Sequence, residues 1–206
     1  RGIGIAYLPA PGQVRIRLSS IGEDADSRVD DAMKELLDQA GEHVVAEDGM
    51  SLEEALIAAL GRAEASLSTA ESCTGGSIAA RLTAIPGASA VFEGSIVAYA
   101  NGIKTHVLGV DAQLIEAHGA VSEEVVRAMA EGVRKAMKTT YALATSGIAG
   151  PGGATPTKAV GTIWIALASP KGTHTRCLQL GNHRGRNIAR TALECMGWLL
   201  RELRSA

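Results

Sequence analysis

The feature that most constrains the fold is an alternation of strand-like and helix-like segments that begins at Ser51. Short apolar runs are typical of buried strands, and apolar residues spaced three or four positions apart are typical of helices. The predicted strands are 67–70, 91–100, 141–146, 160–168 and 173–180. The predicted helices are one that starts at Ser51 and others at 76–83, 104–118, 122–137 and 184–204.

This alternation predicts an α/β domain of three layers, with helices on both faces of one sheet. The last two strands are joined by the short segment 169–172, which makes them an antiparallel pair and the sheet mixed. Of the 206 residues, 46% are hydrophobic but only 3% are aromatic. A disordered or fibrous chain is excluded, and the core is expected to consist mainly of Val, Ile, Leu and Ala.

A domain boundary is predicted at residues 48–50, because Ser51 and Glu54 form a capping box that starts a new helix. Residues 51–206 are the predicted main domain. Residues 1–48 are predicted to form a small α+β unit: a strand at 13–18, a helix capped by Asp26 or Ser27 that ends near Gly41, and a strand at 43–46.

Several functional classes are disfavoured by charge and composition. The formal net charge is −2 with both signs interspersed, so a dedicated nucleic-acid binder is not expected. The cysteines and histidines show no metal-ligand spacing, so no metal site is predicted. No signal peptide or membrane-spanning run is present in this sequence, and we expect a cytoplasmic location. Because the chain begins at Arg1, we interpret it as part of a longer protein.

The first candidate site is the turn 69–76, Thr-Ala-Glu-Ser-Cys-Thr-Gly-Gly, where a buried strand gives way to a helix. Backbone N–H groups at a helix start can hold a phosphate or the oxyanion of an acyl-transfer intermediate. The structural alternative is an ordinary helix cap by Ser72 or Thr74. Cys73 is either a reactive thiol at the helix start or a small buried side chain.

The second candidate site lies where an apolar run ends in the Asn101-Gly102 turn. Tyr99 stands at the predicted strand end and Lys104 opens the next element. A desolvated lysine can lose its proton near neutral pH and act as a base, and a neighbouring tyrosine can relay that proton. A surface lysine and a boundary tyrosine are the structural alternative.

The third candidate site is the glycine-rich segment 146–156, which follows a predicted strand. Its spacing matches neither the dinucleotide-binding nor the P-loop motif. Close approach of its backbone to a ligand is one explanation and a wide structural turn is the other. Arg184 and Arg186, at the start of the last helix, form either a cationic lip over a phosphate or a solvated helix start.

Three segments together, 70–76, 99–110 and 147–156, resemble the C-terminal domain of the CinA family of competence- and damage-inducible proteins. The likeness runs from about Ser51 to the C-terminus. The first 48 residues resemble the small KH-like linking domain of full-length CinA proteins. The molybdopterin-binding-like domain at the N-terminus of that family has no counterpart in this sequence.

The resemblance implies a nicotinamide-nucleotide amidase that converts nicotinamide mononucleotide to nicotinate mononucleotide and ammonia. The family's catalytic serine, tyrosine and lysine fall on Ser72, Tyr99 and Lys104. The resemblance implies no metal or organic cofactor. It does imply that the protein is a homodimer. The predicted substrate-binding residues are Glu71, Cys73, Thr74, Gly75, Gly76, Asn101, Gly147, Ile148, Ala149, Gly150 and Arg184.

Two positions depart from the family pattern. The chain has Gly-Asn-His-Arg at 181–184 where many members have Gly-Asp-Arg, which leaves the phosphate-contacting arginine open between Arg184 and Arg186. It also has Gly102-Ile103 where Glu-Ala is frequent, a change expected to affect loop rigidity more than chemistry.

The main rival function is a non-catalytic nucleotide- or partner-binding module linked to competence or the DNA damage response. Retention of all three catalytic residue types argues against it. The KH-like segment as an RNA- or DNA-binding unit is a third possibility, disfavoured because the segment has no Gly-x-x-Gly loop with flanking basic residues.

Overall fold

The computed structural model describes residues 2–10, 12–47 and 49–205. The chain divides into two compact units, Arg1–Met50 and Ser51–Ala206. Of the positions named in the sequence-based prediction, Arg1, Asp48 and Ala206 lie outside the described residues.

The first unit consists of a hairpin and one helix. Strands β1 (Gly4–Ala10) and β2 (Gln13–Ser19) pair antiparallel, and helix α1 (Ala25–Ala40) packs on β2. The Arg28 side chain joins helix to hairpin, since its guanidinium donates to the hydroxyl of Ser20 at 3.1 Å and to the carbonyl of Ile21 at 2.6 Å.

Two predictions for this unit are wrong. Helix α1 begins after Asp24, with no side-chain cap, so neither Asp26 nor Ser27 is the capping residue. The predicted strand at 43–46 is absent: Gly41–His43 form a 3-10 turn and residues 44–46 belong to no strand. Gly41 keeps right-handed helical dihedral angles (φ −47°, ψ −46°), so the chain continues to coil past the expected helix end.

The second unit is a mixed α/β domain, as predicted. Its strands are β3 (Leu67–Glu71), β4 (Phe92–Val97), β5 (Tyr141–Gly147), β6 (Thr162–Ser169) and β7 (Gly172–Gln179). They form a single sheet in the order β4-β3-β5-β6-β7. Its helices are α2 (Leu52–Arg62), α3 (Ser77–Thr83), α4 (Asn101–His106), α5 (Ala112–His118), α6 (Glu123–Met137) and α7 (Arg184–Ser205), with a 3-10 turn at Ala88–Ala90.

The sheet is parallel on one side and antiparallel on the other. Strand β3 pairs parallel with both β4 and β5, whereas β5 with β6 and β6 with β7 are antiparallel. The carboxyl ends of β3, β4 and β5 therefore lie at one edge of the sheet. That edge is where open α/β sheets commonly bind their ligands.

Local sequence accounts for several helix starts. The capping box predicted at Ser51 is present: its hydroxyl accepts from the N–H of Glu54 at 3.2 Å, and the Glu54 carboxylate accepts from the Ser51 N–H at 2.7 Å. Asp111 and Ser122 cap α5 and α6 with their side chains alone, by accepting from the N–H groups of Gln113 and Val125. The predicted helical stretch 104–118 is two short helices, because Gly109 (φ 70°) turns the chain between them.

The core is built from small and branched residues on both faces of the sheet. Helix α6 lies across one face, and α3 and α7 pack on the other. The strand residues under α6 are mainly alanines, which let the helix approach closely: Ala70, Ala142, Ala144, Ala166 and Ala168. A Cβ atom at Gly132 of α6 would stand 2.0 Å from the carbonyl oxygen of Leu108, so only glycine fits there.

Candidate active site

A cavity of about 200 Å³ opens at the carboxyl edge of β3, β4 and β5. It brings together segments from all three candidate sites and from the start of α7. None of its lining residues is acidic, and two, Lys104 and Arg184, are basic. The lining residues are Ser72, Cys73, Tyr99, Asn101, Lys104, Ala120, Val121, Ser146, Gly147, Ala149 and Arg184.

Ser72 lies on the cavity wall, immediately after β3. Its N–H donates to the carbonyl of Thr145 at 3.0 Å, which continues the parallel ladder between β3 and β5 by one residue. Its carbonyl accepts from the N–H of Gly75 at 3.2 Å, which closes a tight turn. Gly75 and Gly76 both have positive φ angles, 62° and 95°, which favour glycine. This turn holds Ser72, which is only 9% exposed, at the cavity.

Glu71 is fully buried and holds the start of α3. Its carboxylate accepts from the N–H groups of Gly76 at 3.0 Å, Ile78 at 3.1 Å and Ala79 at 2.9 Å. These donors are therefore not available to a substrate phosphate or an oxyanion. In this turn, the N–H of Thr74 has no acceptor within the described part of the chain, and the N–H of Cys73 interacts only with its own thiol; both groups follow Ser72 directly.

Cys73 lines the cavity as well, but its thiol is a poor nucleophile. Burial raises its pKa to about 11, although a hydrogen bond with Thr145 opposes the change. The thiol is therefore protonated at neutral pH, and the thiolate is the reactive form. The buried alternative for Cys73 fits the structure better than the reactive one.

Lys104 is the most completely buried cation of the described chain, with 1% of its surface exposed. Its amino group donates to the carbonyl of Ala98 at 2.8 Å and to the carbonyl of Tyr99 at 3.2 Å. Burial lowers its pKa, and the nearby Cys73 opposes this when ionised. No carboxylate lines the cavity to stabilise the ammonium form. Lys104 thus combines a lowered pKa with a place in the cavity of Ser72.

Tyr99 contacts Lys104 through its backbone, and its hydroxyl is directed elsewhere. The side chain is 61% exposed, and its hydroxyl accepts from the guanidinium of Arg184 at 3.3 Å. Arg184 also donates to the carbonyl of Gly150 at 3.1 Å. Arg186 does not line the cavity, so Arg184 is the arginine at this site.

The glycine-rich segment contributes Gly147 and Ala149 to the cavity wall. A Cβ atom at Gly147 would lie 2.5 Å from Cγ1 of Ile163, so glycine is required for the close approach of the two strands. The side-chain amide of Asn187, buried in α7, donates to the carbonyls of Ala149 at 3.0 Å and Gly181 at 2.7 Å. It ties this segment to the start of α7.

Six of the predicted substrate-binding residues do not line the cavity. Glu71 and Thr74 are buried in hydrogen bonds to the protein, and Ile148 exchanges backbone hydrogen bonds with Thr162 and Gly161. The remaining three, Gly75, Gly76 and Gly150, shape the turns on which the lining residues stand. Substrate contact by these six residues stays a prediction.

Sequence reasoning missed Ser146, Ala120, Val121 and Asn187. Ser146 lay within the glycine-rich segment but was not singled out as a site residue. Asn187 had a usable signal, since it is a polar residue four positions from Thr191 and eight from Cys195, on the buried face of α7. A polar group on an apolar helix face needs a partner, which here is the loop backbone. No sequence pattern marks Ala120 or Val121 as a residue that lines the cavity.

Nowhere in residues 2–10, 12–47 and 49–205 do three or more His, Cys, Asp or Glu side chains gather to hold a metal ion. No helix in the described part of the chain combines the length and hydrophobicity that spanning a bilayer requires.

The fold and the cavity define a mixed α/β domain in which a serine and a buried lysine line one cavity at the carboxyl edge of the sheet. The chain belongs to the CinA family: the model of the CinA C-terminal domain matches residues 49–203. The match begins at residue 49 and leaves almost all of the first unit uncovered, so the KH-like character of that unit stays a prediction.

Curated relatives that are similar in sequence agree with this assignment. The chain is 42% identical over 204 residues to a CinA-like protein of Parasynechococcus marenigrum (strain WH8102), covering 97% of this chain and 49% of the relative. A CinA-like protein of Salinibacter ruber is 44% identical over 197 residues, covering 93% and 48%. The chain thus spans about half the length of the curated relatives it matches.

Solved structures of the family share the fold. The competence/damage inducible protein CihA from Agrobacterium tumefaciens is 34% identical with a TM-score of 0.71, over 75% of this chain and 99% of that one. A CinA superfamily protein from Klebsiella pneumoniae is 31% identical with a TM-score of 0.73, over 75% and 97%.

Proposed function

We propose that the chain is an amidohydrolase that converts nicotinamide mononucleotide to nicotinate mononucleotide and ammonia. The observation that carries the proposal is Lys104, a buried amine of lowered pKa that lines the same cavity as Ser72. A neutral amine beside a serine hydroxyl is a general base for acyl transfer. The substrate itself comes from the family resemblance of the three segments.

In the proposed reaction, Ser72 attacks the carboxamide carbon while Lys104 accepts its proton, directly or through Tyr99. The N–H groups of Cys73 and Thr74 hold the oxyanion of the tetrahedral intermediate. The C–N bond then breaks, and the proton on Lys104 passes to the leaving nitrogen, which departs as ammonia. Water attacks the Ser72 ester with the same base, which releases the carboxylate and restores the serine.

The charge distribution of the cavity supports nicotinamide mononucleotide as the substrate. The pyridinium ring of that substrate is cationic and its phosphate is anionic. A Lys104 of lowered pKa, neutral when it acts as the base, does not repel the ring. Arg184, exposed at the cavity, is positioned to bind the phosphate through the N–H groups that remain free. A cytoplasmic location and a homodimer are part of the same proposal.

The test is ammonia release from nicotinamide mononucleotide by the purified chain, with Ser72→Ala as the matched control. We expect release by the unmodified chain and none above background by the variant. The rival proposal, a non-catalytic binding module, predicts that the chain binds the nucleotide and releases no ammonia. Calorimetric binding measured on the same preparation separates the two.

A further inference from the structure

Ser146 is a second serine on the wall of the cavity, and the proposed reaction does not use it. It is 1% exposed and lies near the end of β5. Its hydroxyl donates to the backbone carbonyl of Ala120 at 2.5 Å. A carbonyl can only accept, so the single proton of this hydroxyl is committed to Ala120.

Ser146 stands next to Ser72 across the sheet. The parallel register pairs Ala70 with Ala144 and Glu71 with Thr145, and the next pair in sequence is Ser72 with Ser146. The hydrogen bond from the N–H of Ser72 to the carbonyl of Thr145 shows that the ladder continues to this point. Paired residues of neighbouring strands project to the same face, so the two side chains share the cavity.

A hydroxyl whose proton is committed offers only lone pairs to a ligand. Ser146 is therefore an acceptor, fixed in direction by its bond to Ala120. The other neutral amide or hydroxyl side chains of the cavity are not restricted in this way. Asn101 is exposed and presents both a donor and an acceptor, so it does not discriminate between them.

We propose that Ser146 is a specificity-determining residue that accepts a hydrogen bond from the NH₂ group of the substrate carboxamide. The inference rests on the proposed function and deepens it. The product differs from the substrate at that group alone: its carboxylate has two acceptor oxygens and no donor. Ser146 therefore favours the amide over the acid, which selects substrate and promotes product release.

The test compares the affinities of amide and acid in a protein that cannot turn over. Nicotinamide mononucleotide and nicotinate mononucleotide are titrated by calorimetry into Ser72→Ala and into the double variant Ser72→Ala/Ser146→Ala. We expect the ratio of the acid Kd to the amide Kd to fall by about tenfold in the double variant, the effect of one lost hydrogen bond. Ser146→Cys in the same background should give a similar fall, because it preserves the size of the side chain but not a strong acceptor.

The matched control is Ser72→Ala/Thr145→Val. Thr145 also carries a buried hydroxyl, but it bonds to Thr74 at 2.8 Å and does not line the cavity. We expect this variant to lose stability while its ratio of Kd values stays unchanged. A role of Ser146 as a brace for Ala120 alone would likewise lower stability without changing the ratio.

The outcomes separate this inference from the proposed function. If the unmodified chain releases ammonia but the ratio is the same in Ser72→Ala and in both Ser146 variants, the role of Ser146 is overturned and the amidase proposal stands. If the unmodified chain releases no ammonia and Ser72→Ala binds neither nucleotide, both proposals fall.

Discussion

The guanidinium of Arg184 donates a hydrogen bond to the hydroxyl of Tyr99 at 3.3 Å. A second bond, to the carbonyl of Gly150 at 3.1 Å, joins the same side chain to the glycine-rich segment. Three parts of the chain that are far apart in sequence thus meet at one arginine. Because a guanidinium has five N–H donors, Arg184 retains donors for an anion while its position is fixed.

Arg184→Ala should impair the hydrolysis of nicotinamide mononucleotide but not that of substrates without a phosphate. We expect its kcat/KM to fall by about one to two orders of magnitude, the effect of losing a charge-assisted hydrogen bond. Nicotinamide riboside, which lacks the phosphate, should be a poor substrate for the unmodified chain and should be hardly affected by the variant. Arg186→Ala is the matched control and should act like the unmodified chain, since Arg186 does not line the cavity. If the unmodified chain had equal kcat/KM for the riboside and the mononucleotide, the proposed phosphate-binding role of Arg184 would be wrong.

Tyr99→Phe tests whether the hydroxyl relays a proton or positions Arg184. The Lys104 amine contacts the backbone carbonyl of Tyr99, which phenylalanine retains, and the hydroxyl contacts Arg184. We therefore expect KM for the mononucleotide to rise by about threefold to tenfold with kcat little changed. Steady-state kinetics with mononucleotide and riboside check this. A loss of kcat by more than about a hundredfold with both substrates would instead place the hydroxyl on the proton path.

Ser72→Ala should abolish ammonia release, whereas Cys73→Ala should retain most of it. Ser72 contributes little apolar volume, and the thiol of Cys73, whose pKa burial raises to about 11, is protonated at neutral pH. Far-ultraviolet circular dichroism on each variant verifies that it is folded. The reverse result, activity in Ser72→Ala and none in Cys73→Ala, would make the cysteine the nucleophile.

The sequence was sufficient for the main domain because its periodicity and its capping signals agree. The helix starts at Ser51 and Ser122, the five strands and the antiparallel β6–β7 pair were all predictable from local pattern. The strand predicted at 43–46, in contrast, is absent from the structure. Two adjacent valines are too short a run to distinguish a strand from a loop, and in the structure a 3-10 turn at Gly41–His43 comes immediately before them.

At the site, sequence identified the side chains with chemistry but not their partners. Glu71 shows the difference: it was predicted to contact the substrate, and in the structure its carboxylate accepts from three N–H groups at the start of α3. Asn187 is recognisable as a polar residue on a buried helix face, but its partner Ala149, 38 positions away, is not. The bond from Ser146 to Ala120, 26 positions away, likewise leaves no local pattern.

Glu71→Gln should destabilise the domain by about 3 kcal/mol, because it replaces a carboxylate that accepts three hydrogen bonds with an amide that accepts at one atom only. Chemical denaturation followed by circular dichroism measures the change. Glu93→Gln is the control, since Glu93 is exposed on β4 and should change stability by less than about 0.5 kcal/mol. Unchanged stability of Glu71→Gln would mean that the carboxylate does not hold the start of α3.

The pH dependence of the reaction tests Lys104 as the base. Its amine must be neutral to accept the proton of Ser72, and the neutral fraction increases with pH. Burial lowers its pKa, so kcat/KM should rise with pH through one deprotonation whose midpoint lies below the ordinary lysine value of 10.5. A profile that falls through this range would require the ammonium form and would contradict the proposed role.

Substitution of Lys104 tests the same role by a second route. Lys104→Arg keeps the positive charge but supplies no neutral amine, since a guanidinium stays protonated. Lys104→Met, close to lysine in shape and without charge, fits a position that is 1% exposed even if the larger arginine does not. Both variants should lose nearly all turnover, by about a thousandfold or more, whereas Lys104→Met should bind nicotinamide mononucleotide with a Kd close to that of Ser72→Ala. Substantial ammonia release by either folded variant would exclude lysine as the base, whatever the role of Ser72.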